Sequence, residues 1–355
     1  MAEYRNRRKQ EERIKAVENG RRVQMDERSK RAQMERKRRT RRKKQRRRVL
    51  ISALVEVLIL AVLALAFCWD RGLSAKVSGV LGVFDRPPVT ELDVSGVNSS
   101  NVLLMDVKSG KVIGNLNGEE QIYPASMTKI MTAIVALEAF SDLDHEITLS
   151  ENIFYALDGQ DATQAGFQPG ESVRVRDLVY GVMLPSGAEC CLALADEASG
   201  SEEAFVEKMN KKAKSIGMKD THFMDCTGLH DPEHYSTAYD IALLLKYALH
   251  NDTFREVAES HFHSTPATNV HPDGITYYST MFKNMSDTSV TGGEILGGKT
   301  GYTSEAGHCL ASFAQIYDRE YILVTAGAAA DATGVPHILD AKTIYNRLGE
   351  AVAQK

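Results

Sequence analysis

The apolar run Val49–Trp69 (VLISALVEVLILAVLALAFCW) constrains this chain more than any other feature. It holds about 20 residues with a single charge, Glu56, long enough as a helix to span a hydrocarbon core of roughly 30 Å. A soluble core helix of that length would carry a polar stripe, and this run carries none. It follows directly on Arg41-Arg42-Lys43-Lys44-Gln45-Arg46-Arg47-Arg48. Positive residues stay on the cytoplasmic side, so the N-terminus is expected inside and everything after Trp69 outside. Ala64-Leu65-Ala66 has the small-residue pattern of a signal-peptidase site, but the basic region before the run is far too long for a cleaved signal. The expectation is a transmembrane signal anchor over 49–69 that tethers the rest of the chain to the cell membrane.

The formal net charge of -4 conceals an asymmetry. The arm 1–48 holds 22 of the 43 Lys+Arg and 7 of the 47 Asp+Glu, which leaves it at about +15 and the remainder at about -19. Such an arm invites a nucleic-acid reading. Its only aromatic is Tyr4, so base stacking has little to work with, and a solvated arm beside anionic headgroups is the simpler expectation. No nucleic acid is expected as a partner. The five cysteines show no CxxC or Cys/His ligand spacing, so zinc is not supported, and their odd number argues against a disulfide framework. Cys190 and Cys191 read as small core residues, with a bridge from one of them to Cys226 as the alternative.

Residues 70–98, with Pro87-Pro88 and few apolar runs, read as a stalk, and 99–355 as one folded domain. Val102-Leu103-Leu104-Met105 and Lys111-Val112-Ile113-Gly114, split by Lys108-Ser109-Gly110, predict a hairpin. A helix is expected from about Ser126 to Phe140. The 3.6-residue period predicts more helices at 176–183, 189–198, 202–216 and 238–250. Strands return at 293–302, 308–316 and 321–326, and a last helix at about 336–351. Strands at both ends with helices between predict an α/β domain: one antiparallel sheet with flanking helices and a helical subdomain.

Three short segments carry chemistry. In Pro124-Ala125-Ser126-Met127-Thr128-Lys129, a Ser and a Lys three residues apart at a helix start share one face. Serine is a weak nucleophile until a base takes its proton, and a lysine whose pKa is lowered by burial or a second cation can be that base. The plainer alternative is that Ser126 only caps a helix. In Gly298-Lys299-Thr300-Gly301-Tyr302-Thr303, strand geometry puts Lys299, Gly301 and Thr303 on one face. A cation and a hydroxyl beside a glycine can cradle a carboxylate, and Gly301 lets a substrate backbone lie close. The alternative is an ordinary strand end. Ser186, in Leu184-Pro185-Ser186-Gly187-Ala188-Glu189, could relay a proton; alone it reads as a helix cap.

Taken in order, Ser-x-x-Lys, a Ser loop and Lys-Thr-Gly resemble the motif series of penicillin-binding proteins and serine β-lactamases. From about Asn101 onward the chain resembles the low-molecular-mass D-alanyl-D-alanine carboxypeptidases, including the stretch Met218–Asp240 (GMKDTHFMDCTGLHDPEHYSTAYD). The resemblance implies the serine β-lactamase/transpeptidase-like fold, with peptidoglycan stem pentapeptides and β-lactams as partners and no metal or cofactor. It implies Ser126 as the acylated nucleophile, Lys129 as general base and Ser186 as proton relay. Lys299 would keep that network poised, Thr300 and Thr303 would hold the terminal carboxylate, and the amides of Ser126 and Tyr302 would form the oxyanion hole. One departure is Ala188, where the pattern has an Asn that orients substrate and lysine; slow turnover is the expected consequence. A β-lactamase would need a deacylating Glu in a Glu-x-x-x-Asn context before Lys-Thr-Gly, and no convincing match is present. A catalytically weak muropeptide or β-lactam sensor is the non-enzymatic alternative.

Overall fold

A computed structural model describes residues 89–285 and 287–354. The basic arm, the candidate anchor 49–69 and residues 70–88 of the expected stalk lie outside the described residues. Among the described residues no helix is long and apolar enough to cross a membrane.

The chain begins with the hairpin β1 (Asn101–Asp106) and β2 (Val112–Leu116), then a two-residue strand β3 (Gln121–Ile122). A 3-10 turn, Ala125–Thr128, leads into α1 (Lys129–Ala139). Next come β4 (Glu146–Thr148), α2 (Glu151–Leu157), β5 (Ser172–Arg174), α3 (Val175–Met183), α4 (Ala188–Ser199), α5 (Glu202–Ile216), β6 (Ser236–Thr237), α6 (Ala238–Ala248) and α7 (Asp252–Glu259). A small hairpin, β7 (Phe262–Ser264) and β8 (Thr276–Tyr278), precedes α8 (Thr280–Asn284). The chain closes with β9 (Ser289–Val290), β10 (Gly293–Thr303), β11 (Gly307–Ile316), β12 (Arg319–Ala328) and α9 (Pro336–Ala353).

One antiparallel sheet, in the order β2-β1-β12-β11-β10-β9, joins the two ends of the domain: β1 pairs with β12, Asn101 opposite Ala326. Alternation along β1 sends Leu103 and Met105 to the helical side and Val102 and Leu104 to the side covered by α9. The helical layer packs around α1, which is buried from Lys129 to Leu137. A helix apolar on all faces has to be surrounded, and α1 lies against α3, α4, α5 and α6. Its one charged residue in that stretch, Lys129, is therefore carried into the interior.

The predicted elements stand with small shifts at their ends, and two differences matter. The helix expected from Ser126 begins only at Lys129, because Ala125 adopts φ +48 and Ser126 lies in the preceding 3-10 turn. Residues 89–98, expected in the stalk, pack on the domain. Val89 and Val94 are buried beneath α9, Leu92 N–H donates to Ile113 O, and Asp340 accepts from the amides of Asn98 and Ser99 at 2.9 and 2.8 Å. Sequence composition around Pro87-Pro88 does not show that a carboxylate 241 residues downstream fastens this stretch.

Candidate active site

Ser126 is held from two sides. Ala125 is left-handed, a conformation that costs a residue with a Cβ about 1–2 kcal/mol, so the surroundings must impose it. Gly228 does so from one side: a Cβ there would stand 2.0 Å from the Ala125 carbonyl oxygen. Strand β10 closes from the other, where a Cβ on Gly301 would stand 3.2 Å from the Ser126 nitrogen. The backbone amide of the serine is thereby set against the Gly301–Tyr302 segment, while its side chain stays partly accessible.

Two serine–lysine pairs meet behind the surface. Lys129 Nζ donates to Ser126 Oγ at 3.1 Å and to the Thr227 carbonyl at 2.5 Å. Lys299 Nζ donates to Ser186 Oγ at 3.0 Å and to the Thr300 carbonyl at 2.9 Å. Both lysines are buried, and neither has a carboxylate within ion-pair distance among the described residues. Burial pushes the Lys299 ammonium well below its ordinary range, and the nearby charge of Lys129 pushes the same way. Ser186 is also left-handed, at φ 71, on a loop where Gly187 N–H donates to Gly181 O.

Behind Lys129 runs a buried polar chain. His234 Nε2 lies 2.8 Å from Thr128 Oγ1, and its Nδ1 lies 2.9 Å from Asp225 Oδ2. Asp225 Oδ1 accepts from Thr227 N, Thr227 Oγ1 and Gly228 N at 2.7, 2.8 and 2.6 Å. Burial alone would raise the Asp225 carboxyl; the His234 bond and charge, with the Thr227 and Gly228 donors, win and bring it to about 2. This chain fixes the turn that offers the Thr227 carbonyl to Lys129.

A cleft of about 330 Å³ opens over these groups. Five of the predicted residues line it: Ser126, Ser186, Thr300, Gly301 and Tyr302. Lys129 and Lys299 lie beneath it. Thr303 is not among the residues lining it; its Oγ1 accepts from Ala306 N at 3.0 Å across the β10–β11 turn, which leaves its O–H available to donate. Ala188 is likewise off the wall, 1 % exposed at the start of α4, its amide donating to Thr163 O at 2.8 Å. The side-chain amide that does line the cleft is Asn284, on α8 with Thr280, whose Oγ1 is 2.7 Å from Thr300 Oγ1.

Thr280, Asn284, His308 and His337 on the wall, and Asp225 and His234 behind it, are not among the residues expected from the sequence. The last two fall in the stretch 218–240 already singled out, which was the available signal. The others stand in no motif.

Residues 89–330 match the family described as D-alanyl-D-alanine carboxypeptidase. D-alanyl-D-alanine carboxypeptidase DacF of Bacillus subtilis is 34% identical over 246 residues, 65% of this chain and 58% of the relative. D-alanyl-D-alanine carboxypeptidase DacC of Escherichia coli is 34% identical over 254 residues, 68% of this chain and 59% of the relative. The chain thus spans under two thirds of the length of these curated relatives. The crystal structure of the Streptomyces K15 DD-transpeptidase is similar over 74% of this chain and 100% of that one, with TM-score 0.66 and 28% identity. Motif order, a cleft built on two serine–lysine pairs and a family match over most of the described domain agree: this chain belongs to the D-alanyl-D-alanine carboxypeptidase family.

Proposed function

We propose that the protein is a serine-type carboxypeptidase that removes the terminal D-alanine from peptidoglycan stem pentapeptides through an acyl-enzyme, and that β-lactams acylate the same serine. The observation that carries this reading is the 3.1 Å contact between Ser126 Oγ and buried Lys129 Nζ, with no carboxylate within ion-pair distance of the lysine among the described residues. Lys129 takes the Ser126 proton as Oγ attacks the penultimate carbonyl. The amides of Ser126 and Tyr302 face the developing oxyanion, where fixed donors act most strongly. Ser186, bonded to Lys299, relays that proton from Lys129 to the departing amine of D-alanine as the C–N bond breaks, which frees Lys129 to act again. Thr300 offers its hydroxyl to the terminal carboxylate. Water, deprotonated by the same lysine, then hydrolyses the ester.

The β-lactamase alternative is less well supported. Among the described residues lining the cleft the acidic one is Asp161, while buried Glu189 spends its Oε1 on the amides of Ala165 and Gly166. The domain is proposed to act outside the cell membrane, tethered by 49–69 with 1–48 inside; the basic run before Val49 supports this orientation.

The test is mass spectrometry of the full-length protein after incubation with penicillin. One covalent adduct on a peptide containing Ser126 is expected, none in Ser126→Ala, and acylation slowed at least about 100-fold in Lys129→Ala. Normal labelling of Ser126→Ala would overturn the assignment. For orientation, protease added to intact spheroplasts should digest the domain and spare the arm; the reverse pattern rejects the topology.

A further inference from the structure

One wall of the cleft is made of two imidazoles that no step above uses. His308 stands opposite Tyr302 in the β10–β11 ladder, and His337 lies in the first turn of α9. Their rings stack with centroids 5.1 Å apart and planes 6° apart, and the Tyr302 ring approaches His308 at 4.6 Å. Both line the cleft together with Thr300. His337 is 4% exposed, and its Nδ1 has no hydrogen-bond partner among the described residues. A buried ring nitrogen left unpaired is unfavourable, which makes it a place where a bound group completes the bond.

The electrostatic setting says what kind of group. Among the described residues lining the cleft there is no lysine or arginine, and the Lys299 ammonium beneath it is occupied by Ser186 and the Thr300 carbonyl. The two histidines are therefore the wall's only cationisable side chains. Burial pushes His337 down to about 4, with His308 adding to the effect and Asp340 opposing it. Burial lowers His308 as well, against Asp331. Asp331, Asp340 and Tyr302 are the other titratable groups beside the pair, and Asp161 is the acidic residue in the same cleft lining. Both aspartates beside the pair are already engaged, Asp340 with Asn98 and Ser99 and Asp331 with Thr333 and Gly334. Both shifts favour the uncharged imidazoles at neutral pH, and a bound anion is the group that would favour a proton on the pair.

We propose that the His308–His337 pair recognises the free α-carboxylate of the terminal D-alanine and takes up one proton from solvent when that carboxylate binds. This rests on the carboxypeptidase reading above. The balance is simple: one solvent proton adds to an imidazole, the carboxylate accepts from the resulting imidazolium and from the Thr300 hydroxyl, and no covalent bond changes. Linkage is reciprocal. If the carboxylate favours the protonated pair, protonation favours the carboxylate, so affinity for an acid-ended peptide rises as pH falls below neutrality and levels off once the free pair is itself protonated.

The experiment is titration calorimetry on the full-length Ser126→Ala protein, which binds without turnover. The probes are an N-acetylated tripeptide ending in D-Ala-D-Ala and the same peptide as its C-terminal amide. Each is titrated at about pH 7.5 and about pH 5.5, in two buffers of different ionisation heat. The acid peptide should bind about tenfold more tightly at the lower pH, with net uptake of up to one proton; the amide peptide should show neither effect. Adding His308→Gln and His337→Gln, which keep a polar group but cannot titrate, should flatten the response of the acid peptide. Since that double change could disturb α9, the acid–amide comparison on the unaltered wall is decisive alone. Binding of the acid peptide without proton uptake, or an equal pH response from the amide, overturns the proposal. Should neither peptide bind, penicillin labelling of the wild type separates the causes: an adduct at Ser126 rejects only the histidine wall, and no adduct rejects the carboxypeptidase reading with it.

Discussion

Lys129 Nζ lies 2.5 Å from the Thr227 carbonyl oxygen, closer than the 3.1 Å that separates it from the Ser126 hydroxyl. The relationship orients the base. A neutral amine that gives one N–H to the carbonyl can turn its lone pair toward Ser126, so the carbonyl's position decides how well the proton is taken.

That carbonyl is placed by Asp225 and His234. His234→Gln should therefore slow acylation by penicillin about 10- to 100-fold with little change in binding before acylation, read as a fall in the rate constant rather than in affinity. An unchanged rate would make the buried chain a purely structural one.

Asp225 also links stability to pH. Its folded pKa of about 2 lies below the ordinary 3.8, so its stabilisation is present above 3.8 and lost as pH falls through about 2. At about 1.4 kcal/mol per unit, Asp225→Asn should lower stability by about 2 kcal/mol at neutral pH. The gap to wild type should close between about pH 4 and pH 2, read by urea unfolding. Equal midpoints at neutral pH would count against the assignment.

Lys299 predicts a trade of stability against activity. Its folded pKa is well below 10.5, so the unfolded chain binds more protons between the two values and stability rises with pH across that window. Below that window the fold carries the cost of burying or deprotonating an amine that has no carboxylate within ion-pair distance among the described residues. Lys299→Met should raise Tm at pH 7 by an amount that shrinks toward about pH 10, while acylation falls at least about 100-fold. A variant that melts lower at pH 7 would show that the ammonium holds the cleft together.

Gly228 and Gly170 are both left-handed glycines, at φ 81 and 75, but their surroundings differ. A methyl at 228 meets the Ala125 carbonyl at 2.0 Å, whereas nothing lies within 4 Å of one at 170. Gly170→Ala should cost about 1–2 kcal/mol and leave acylation unchanged. Gly228→Ala should displace the Ser126 turn and lower acylation by about two orders of magnitude or more. Parallel melting curves and penicillin labelling check both.

Ala188 and Asn284 reverse the simple motif expectation. Position 188 is buried and off the cleft wall, so an Asn there has to force space. Ala188→Asn should cost about 1–3 kcal/mol without raising kcat/KM for D-alanine release. Asn284→Ala, at an exposed position on the cleft, should leave Tm within about 0.5 kcal/mol equivalent and lower kcat/KM about 5- to 150-fold if its amide meets substrate. A gain in kcat/KM for Ala188→Asn would show that the loop can turn position 188 inward.

Much of the domain was legible because the signals are local. The apolar period outlined α4, α5 and α9 and the strands β10–β12, since 3.6- and 2-residue repeats follow from backbone geometry alone. Ser126 with Lys129, and Lys299 with Gly301, could be paired from the chain because three-residue and alternate spacings bring side chains to one face. Spacing alone does not show that the Thr303 oxygen also accepts from Ala306 N across the following turn.

What the sequence by itself determined is the set of reactive groups, their order and the elements that carry them; the basic run and apolar segment before residue 70 belong to the same kind of local information. Only the tertiary structure decided which groups meet. Lys129 finds the Thr227 carbonyl across 98 residues, and Lys299 finds Ser186 across 113. His308 and His337 stack only because β11 and α9 pack together. Those contacts depend on how the sheet closes between β1 and β12 and how the helices surround α1. Burial, carbonyl position and the charge state of a lysine or histidine are properties of that three-dimensional surrounding, not of any spacing along the chain.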